Sequence, residues 1–271
     1  VNVPVTIIAG QFDHHEEGTI LGYERLNDAV KSKSRLILGS WNHSFQPTPT
    51  HVPTTHSRDF NTTADQFEWF YNLLVAKKEP VGEIKAYVIE EDKWISLDKW
   101  PIKPSKEVKM YLSNKKGKSN DKAFALKSRK GLIRKIIRYI YDPKNPVIAT
   151  GGETIFTSQA RRGSHPMPAI GERDDVVSFV TEPLEEDMTI DGAIKVVLNL
   201  STDVDDSAFA FTLSEITPDG ETYNMRTSIT TLGYRNNLLG ERQTYRPGKR
   251  VQVEIISLPI VWTVKKGNAY R

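Results

Sequence analysis

The sequence predicts an α/β segment followed by an all-β sandwich. Two continuous apolar runs, residues 5–9 and 35–38, flank a stretch with helical spacing. From about Pro80 onward, short runs rich in Val, Ile, Thr, Tyr and Phe recur with turn residues and no helical pattern between them. Continuous β-branched runs suit parallel strands covered on both faces. Residues 18–30 place Tyr23, Leu26 and Val30 on one helical face, so the order reads strand, crossover helix, strand. Right-handed crossovers leave the C-terminal ends of parallel strands on one edge of the sheet. Asp13 and His43 follow the two strands and are expected side by side, although 43 − 13 = 30 positions separate them.

Beyond His43 the chain reads as loop through Pro47, Pro49 and Pro53. Thr63-Ala64-Asp65-Gln66 then offers a capping box for a helix carrying Phe67, Phe70, Tyr71 and Leu74 on one face, a stripe expected to pack on the sheet as core. Strands are expected at 84–89, 108–112, 176–181, 193–200, 209–216 and 251–256, with turns at Asp191-Gly192, Pro218-Asp219-Gly220 and Pro247-Gly248. The α/β part is assigned to residues 1–79 and the sandwich or jelly roll to 80–271, with one more strand starting at Tyr270-Arg271 and the sandwich cut short there.

Composition narrows the function classes. Hydrophobic residues at 38% and charged residues at 26% fit a soluble chain with a substantial core. The net charge of +3 comes from interspersed Lys and Glu, which gives nucleic-acid binding no support. The densest basic stretch, 127–138, reads as solvated surface. No apolar run is long enough to span a bilayer, so no membrane partner is expected. The absence of cysteine excludes a disulfide scaffold, a thiolate metal site and a Cys nucleophile, and it agrees with a cytoplasmic location.

The chemistry rests on Asp13 and His43. An acid and then a base at successive strand ends are, in that order, the last two members of an α/β-hydrolase triad. No Gly-x-Ser-x-Gly elbow occurs in the sequence. The fold class is therefore the C-terminal part of an α/β-hydrolase domain followed by a jelly-roll β-sandwich, with the nucleophile expected upstream. On spacing alone, a strand-end cap and a loop histidine fit these two residues as well. His14-His15-Glu16-Glu17 lacks the second histidine of a His-Glu-x-x-His helix, and adjacent residues seldom face one ion, so a solvated loop is expected. Asp203, Asp205, Asp206 and Asp219 lack the spacing of a calcium loop. No metal or cofactor is expected.

Collinear motifs then point to a family. Gly10-Gln11-Phe12-Asp13 with Gly18-Thr19, and Leu36-Ile37-Leu38-Gly39-Ser40-Trp41-Asn42-His43, resemble the acid and base regions of the cocaine-esterase-like (CocE/NonD) hydrolases, relatives of the X-prolyl dipeptidyl aminopeptidases. Trp94 with Trp100-Pro101, Tyr141-Asp142-Pro143 before Gly151-Gly152, Phe179-Val180-Thr181-Glu182-Pro183-Leu184, and Ser201-Thr202-Asp203 through Asp206 to Pro218-Asp219-Gly220 resemble that family's C-terminal jelly roll. Ser40 stands where members commonly carry Pro, and Phe12 where they often carry Trp or Tyr.

The resemblance implies a serine hydrolase acting on a small-molecule ester, amide or short peptide through an acyl-enzyme. His43 would be the base and Asp13 its orienting acid, with Phe12, His14, Trp41 and Phe45 as candidate walls of the substrate pocket. X-Pro dipeptidyl-peptidase activity is the alternative within the class. A non-catalytic β-sandwich binding module is the alternative outside it. The expected partner is the N-terminal half of the same protein, with a homodimer also open, and residues 1–271 alone are expected to be inactive and poorly soluble because the first sheet would keep a free edge.

Overall fold

The computed structural model describes residues 2–45, 48, 50–100, 106–119, 121–132, 135–153, 162–168 and 173–271. Pro47, Pro49, Pro101 and residues 133–134 of the basic stretch lie outside the described residues. Strands β1 (Thr6–Gly10) and β2 (Arg35–Gly39) pair in parallel, from Thr6 opposite Arg35 to Gly10 opposite Gly39. Between them the single helix expected from spacing is split into α1 (Glu16–Glu24) and α2 (Asp28–Lys31). The cause is local: Asn27 leaves helical geometry and its side chain accepts the Val30 amide at 2.9 Å, starting a new helix. Tyr23 and Val30 are buried as the spacing requires.

Strand β3 (Glu83–Val88) adds to β2 in parallel, and β4 (Lys93–Ser96) closes the sheet antiparallel, giving the order β1-β2-β3-β4. The sheet thus runs across position 79/80. Leu36, Leu38, Ala86 and Val88 pack with Ile20 and Tyr23 into its core, each full-sized aliphatic chain contributing roughly 1.5–3 kcal/mol by leaving water. Among the described residues, β1 has a strand on one side alone.

Helix α3 (Thr62–Phe70) departs from expectation twice. Its cap is Asn61, whose side chain accepts the Ala64 amide at 3.0 Å. Its aromatic stripe, continued into the helical turn Tyr71–Val75, faces outward: Phe67, Phe70, Tyr71 and Leu74 are 73%, 53%, 50% and 63% exposed. The helix instead meets the sheet through buried Trp69, with the Arg35 guanidinium 4.5 Å above that ring and paired to Asp65 at 2.9 Å. Once Arg35 fixes that face, residues on the opposite side of the turn must point away from the sheet.

The regular elements of the remainder are almost all strands, as expected for a β-sandwich. β5 (Tyr111–Lys116) pairs antiparallel with β6 (Phe124–Lys127), which carries β7 (Phe179–Val180) on its other side. β8 (Met188–Gly192), β9 (Lys195–Leu200), β10 (Ala208–Ile216), β11 (Thr222–Thr231), β12 (Val251–Ile256), β13 (Ile260–Val264) and β14 (Ala269–Tyr270) pair antiparallel as β8 with β13, β9 with β12, and β11-β10-β14. The Pro218-Asp219-Gly220 turn joins β10 to β11, with Gly220 at φ +91° where a side chain would be strained. Asp191-Gly192, expected as a turn, instead ends β8 opposite Val261 and Ile260. Trp262 bridges Ile89 in parallel, and Ile89 donates to the Val261 carbonyl at 2.9 Å, stitching the first sheet to the sandwich. Among the described residues no helix is long and apolar enough to cross a membrane.

Candidate active site

Asp13 and His43 meet at the C-terminal edge of β1 and β2, as parallel pairing demands. The two strand exits are tied by backbone bonds: Gln11 N donates to Gly39 O at 2.8 Å and Phe12 N to Trp41 O at 3.0 Å. The Asp13 carboxylate, 7% exposed as a residue, accepts from the His15 amide at 2.9 Å, which folds the turn over it. His43 Nδ1 lies 3.2 and 3.3 Å from the two oxygens of that carboxylate. The tautomer that donates from Nδ1 to this carboxylate leaves Nε2 as an acceptor, on a ring 46% exposed. Just before His43, buried Asn42 accepts the Ser44 amide at 2.8 Å and holds the tight turn that presents the ring.

Two glycines allow the strand ends to approach. A Cβ on Gly10 would stand 2.3 Å from the Trp41 carbonyl oxygen, and one on Gly39 would stand 2.4–2.5 Å from three ring atoms of buried Trp41. Gly39→Ala must therefore displace Trp41, two residues before His43, at a cost of about 1–3 kcal/mol. With His43 as a hydrolytic base, kcat of the full-length polypeptide is expected to fall about tenfold or more with KM little changed, because small misplacements of a catalytic group are expensive. Steady-state kinetics of the variant check this, and an unchanged kcat counts against the coupling.

The pocket candidates separate. Phe12 is wholly buried in the core with Tyr87, Ile89, Met225 and Trp262, and Trp41 is 1% exposed against Phe60 and Trp94 at ring distances of 5.6 and 5.5 Å. Both are corrected from pocket walls to supports beneath the site, since their apolar surface is already consumed by packing. Phe45 is 38% exposed with φ +53°, and His14 sits 4.8 Å ring to ring from His43. Those two keep surface that a bound substrate could touch.

Sequence reading missed the residue that anchors this edge. Arg226 of β11 is buried and donates from Nη1 to Gln11 O at 2.6 Å, and from Nη2 to both oxygens of Glu16 at 2.9 and 2.8 Å and to Pro259 O at 2.5 Å; Glu153 pairs with it from the other side. Gln11 adds two bonds of its own, from Nε2 to Tyr87 O and to Oε1 from Val261 N, both at 2.8 Å. The acid-bearing turn is thus clamped to the sandwich. One cation serves two carboxylates here, and burial is the main reason that Glu16 is pushed up to about 8.

That shift sets a pH dependence. Between the ordinary carboxyl value of 4.5 and about 8, folded Glu16 keeps a proton that the unfolded chain has released. Its contribution to stability is complete below the lower value and is lost as pH rises through the upper one. We expect the unfolding free energy to drop by on the order of 1 kcal/mol per pH unit from pH 6 to 8, an effect that Glu16→Gln flattens. Urea unfolding across that range checks it, and a rising stability in the wild type contradicts it.

A second Ser-His-acid line exists but is closed. His51 Nδ1 lies 3.1 Å from Ser164 Oγ and its Nε2 lies 3.2 Å from Glu215. Ser164 is 3% exposed, Glu215 is fully buried, and the ring stacks on Tyr223 at 4.0 Å. No substrate reaches that hydroxyl, so the line is core structure. Among the described residues no serine hydroxyl hydrogen-bonds to His43.

Residues 76–270 match the model of the X-Pro dipeptidyl-peptidase C-terminal non-catalytic domain. The chain belongs to this family. The Asp13–His43 pair lies before the matched region of this X-Pro dipeptidyl-peptidase C-terminal family. The cocaine esterase of Rhodococcus sp. (strain MB1 Bresler) is 23% identical over 94% of the chain and 48% of its own length. The chain thus spans about half the length of that relative. An aminopeptidase from a marine-sediment Thaumarchaeota archaeon superposes with TM-score 0.80 at 19% identity, covering 100% of the chain and 46% of the other. An α-amino acid ester hydrolase gives 0.74 at 20% identity, covering 99% and 47%. A CocE/NonD family hydrolase from Staphylococcus aureus gives 0.61 at 14% identity, covering 100% and 45%. The CocE/NonD likeness of the motifs is therefore matched by the fold along the whole chain.

Proposed function

We propose that residues 1–271 supply the acid and base of a serine hydrolase that cleaves esters or amides, with the sandwich packed against the catalytic sheet. The observation that carries this reading is the Asp13–His43 contact at adjacent parallel strand ends, on a His43 ring that is 46% exposed. The strand-helix-strand unit beneath it is the edge of an α/β-hydrolase sheet whose earlier strands and serine belong to a segment outside these residues. The serine Oγ attacks the carbonyl, His43 Nε2 takes its proton and returns it to the leaving group, and water then repeats the cycle on the acyl-enzyme. Asp13 fixes the ring and stabilises its positive charge. Phe45 and His14 border the acyl or leaving group.

The free side of β1 and the exposed Phe67 and Phe70 of α3, with Tyr71 and Leu74 of the turn that follows it, support an extensive covering partner. The nucleophile-bearing half of the same polypeptide fits that surface, because the chain spans only 48% of its esterase relative. The family description supports a second reading, release of X-Pro dipeptides. Comparing kcat/KM for p-nitrophenyl acetate with that for an X-Pro p-nitroanilide, on the full-length polypeptide, tests the choice: a preference for the ester sustains the esterase reading, and a preference for the anilide replaces it. A pure binding module would hydrolyse neither.

A further inference from the structure

His14 and His15 do not spread into solvent as adjacent residues usually do. Their rings stand 3.7 Å apart, and each lies within 5 Å of the His43 ring, at 4.8 and 4.9 Å. One ring nitrogen of each of the three falls within 4.8 Å of the others. The Asx turn at Asp13 produces this, since the bond from the His15 amide back to the carboxylate folds both rings over the same side. His14 Nδ1 is buried without a hydrogen-bond partner, although it lies 3.2 Å from Asp13 Oδ1.

The rings of His14 and His43 both face the Asp13 carboxylate, and the His15 ring packs against the two of them. Imidazole sets of this size suit zinc-type ions, and a metal-bound histidine commonly donates its other ring N–H to a carboxylate, the bond that His43 already makes to Asp13. We propose that His14, His15 and His43 bind one divalent zinc-type ion, and that this ion inhibits by occupying the base nitrogen of His43. The three nitrogens need only close from 4.8 Å to the spacing of a tetrahedral ion, and His15 and His43 are exposed enough to move. The fourth position remains open to water. Ion binding itself rests on the three rings; its inhibitory effect rests on the hydrolase reading above.

The test uses the tag-free full-length polypeptide. Zinc titration by calorimetry and the visible absorption of bound Co2+ read the site directly, in wild type, His15→Asn and His14→Asn, with circular dichroism confirming the fold. One equivalent of tight binding with a tetrahedral Co2+ spectrum is expected, weakened about tenfold or more by either substitution. No binding at micromolar zinc, or binding indifferent to both variants, overturns the proposal. Labelling by a fluorophosphonate probe separates it from the hydrolase reading. Zinc should protect wild type from the probe, and His15→Asn should need at least tenfold more zinc for the same protection. Loss of labelling in metal-free His43→Ala, together with a wild type that binds no zinc, leaves the triad and sinks the metal site. Zinc binding at the three rings that leaves labelling unprotected sinks the inhibitory role.

Discussion

His43→Ala in the full-length polypeptide is expected to lower kcat for ester hydrolysis about 10^4-fold, and Asp13→Asn about 10^3- to 10^4-fold, with far smaller changes in KM. The two residues act on one ring. Without His43 nothing takes the serine proton, and with Asn at position 13 the amide presents a donor to Nδ1, which turns the tautomer and leaves a proton on the nitrogen that should accept. The double variant should lose little more than His43→Ala alone, because members of one proton-transfer unit are non-additive. Circular dichroism should be preserved for His43→Ala, whose ring is 46% exposed. An additive double variant would mean that the contact seen at 3.2 Å is not the working unit.

Arg226→Met is expected to destabilise the folded protein by about 3–5 kcal/mol. The Met side chain keeps most of the volume, so packing loss is minor. The cost comes from leaving a buried Glu16 and the carbonyls of Gln11 and Pro259 without their donor. Against a typical total of about 5–15 kcal/mol, this is a large share. Adding Glu16→Leu should recover part of the loss, since removing both members of a buried pair is milder than removing one. Urea midpoints of the wild type, the single variant and the double variant measure this. Activity should fall with stability, because the same guanidinium holds the turn that carries Asp13; a stable but inactive Arg226→Met would assign it to chemistry instead.

Much of the site was legible because its signal is local. The apolar runs that became β1 and β2 are continuous, and a residue directly after each is placed by strand geometry alone. Strands β9, β10 and β12 were legible for the same reason, and the Pro218-Asp219-Gly220 turn by its residue types. Arg226 was not, because its bonds to Glu16 and Gln11 join positions 210 and 215 apart, and no local pattern marks a charged residue in a strand as a clamp. The α3 stripe shows another limit: helical spacing tells which face is apolar and says nothing of where its cover lies. Phe12 and Trp41 were misplaced because an aromatic beside a catalytic residue looks alike whether it lines a pocket or fills the core under it. The approach of His14 and His15 depended on one side-chain bond to a backbone amide, which reverses the usual divergence of neighbours.

In the proposed mechanism His43, oriented by Asp13, serves a serine outside residues 1–271. The most direct test is covalent labelling of the full-length polypeptide with a fluorophosphonate probe, located by peptide mass spectrometry, in wild type and His43→Ala. A single labelled serine preceding residue 1 is expected, with the labelling rate reduced at least about 10^3-fold in His43→Ala. Labelling that is absent from the folded wild type, or that proceeds equally fast without His43, would contradict it.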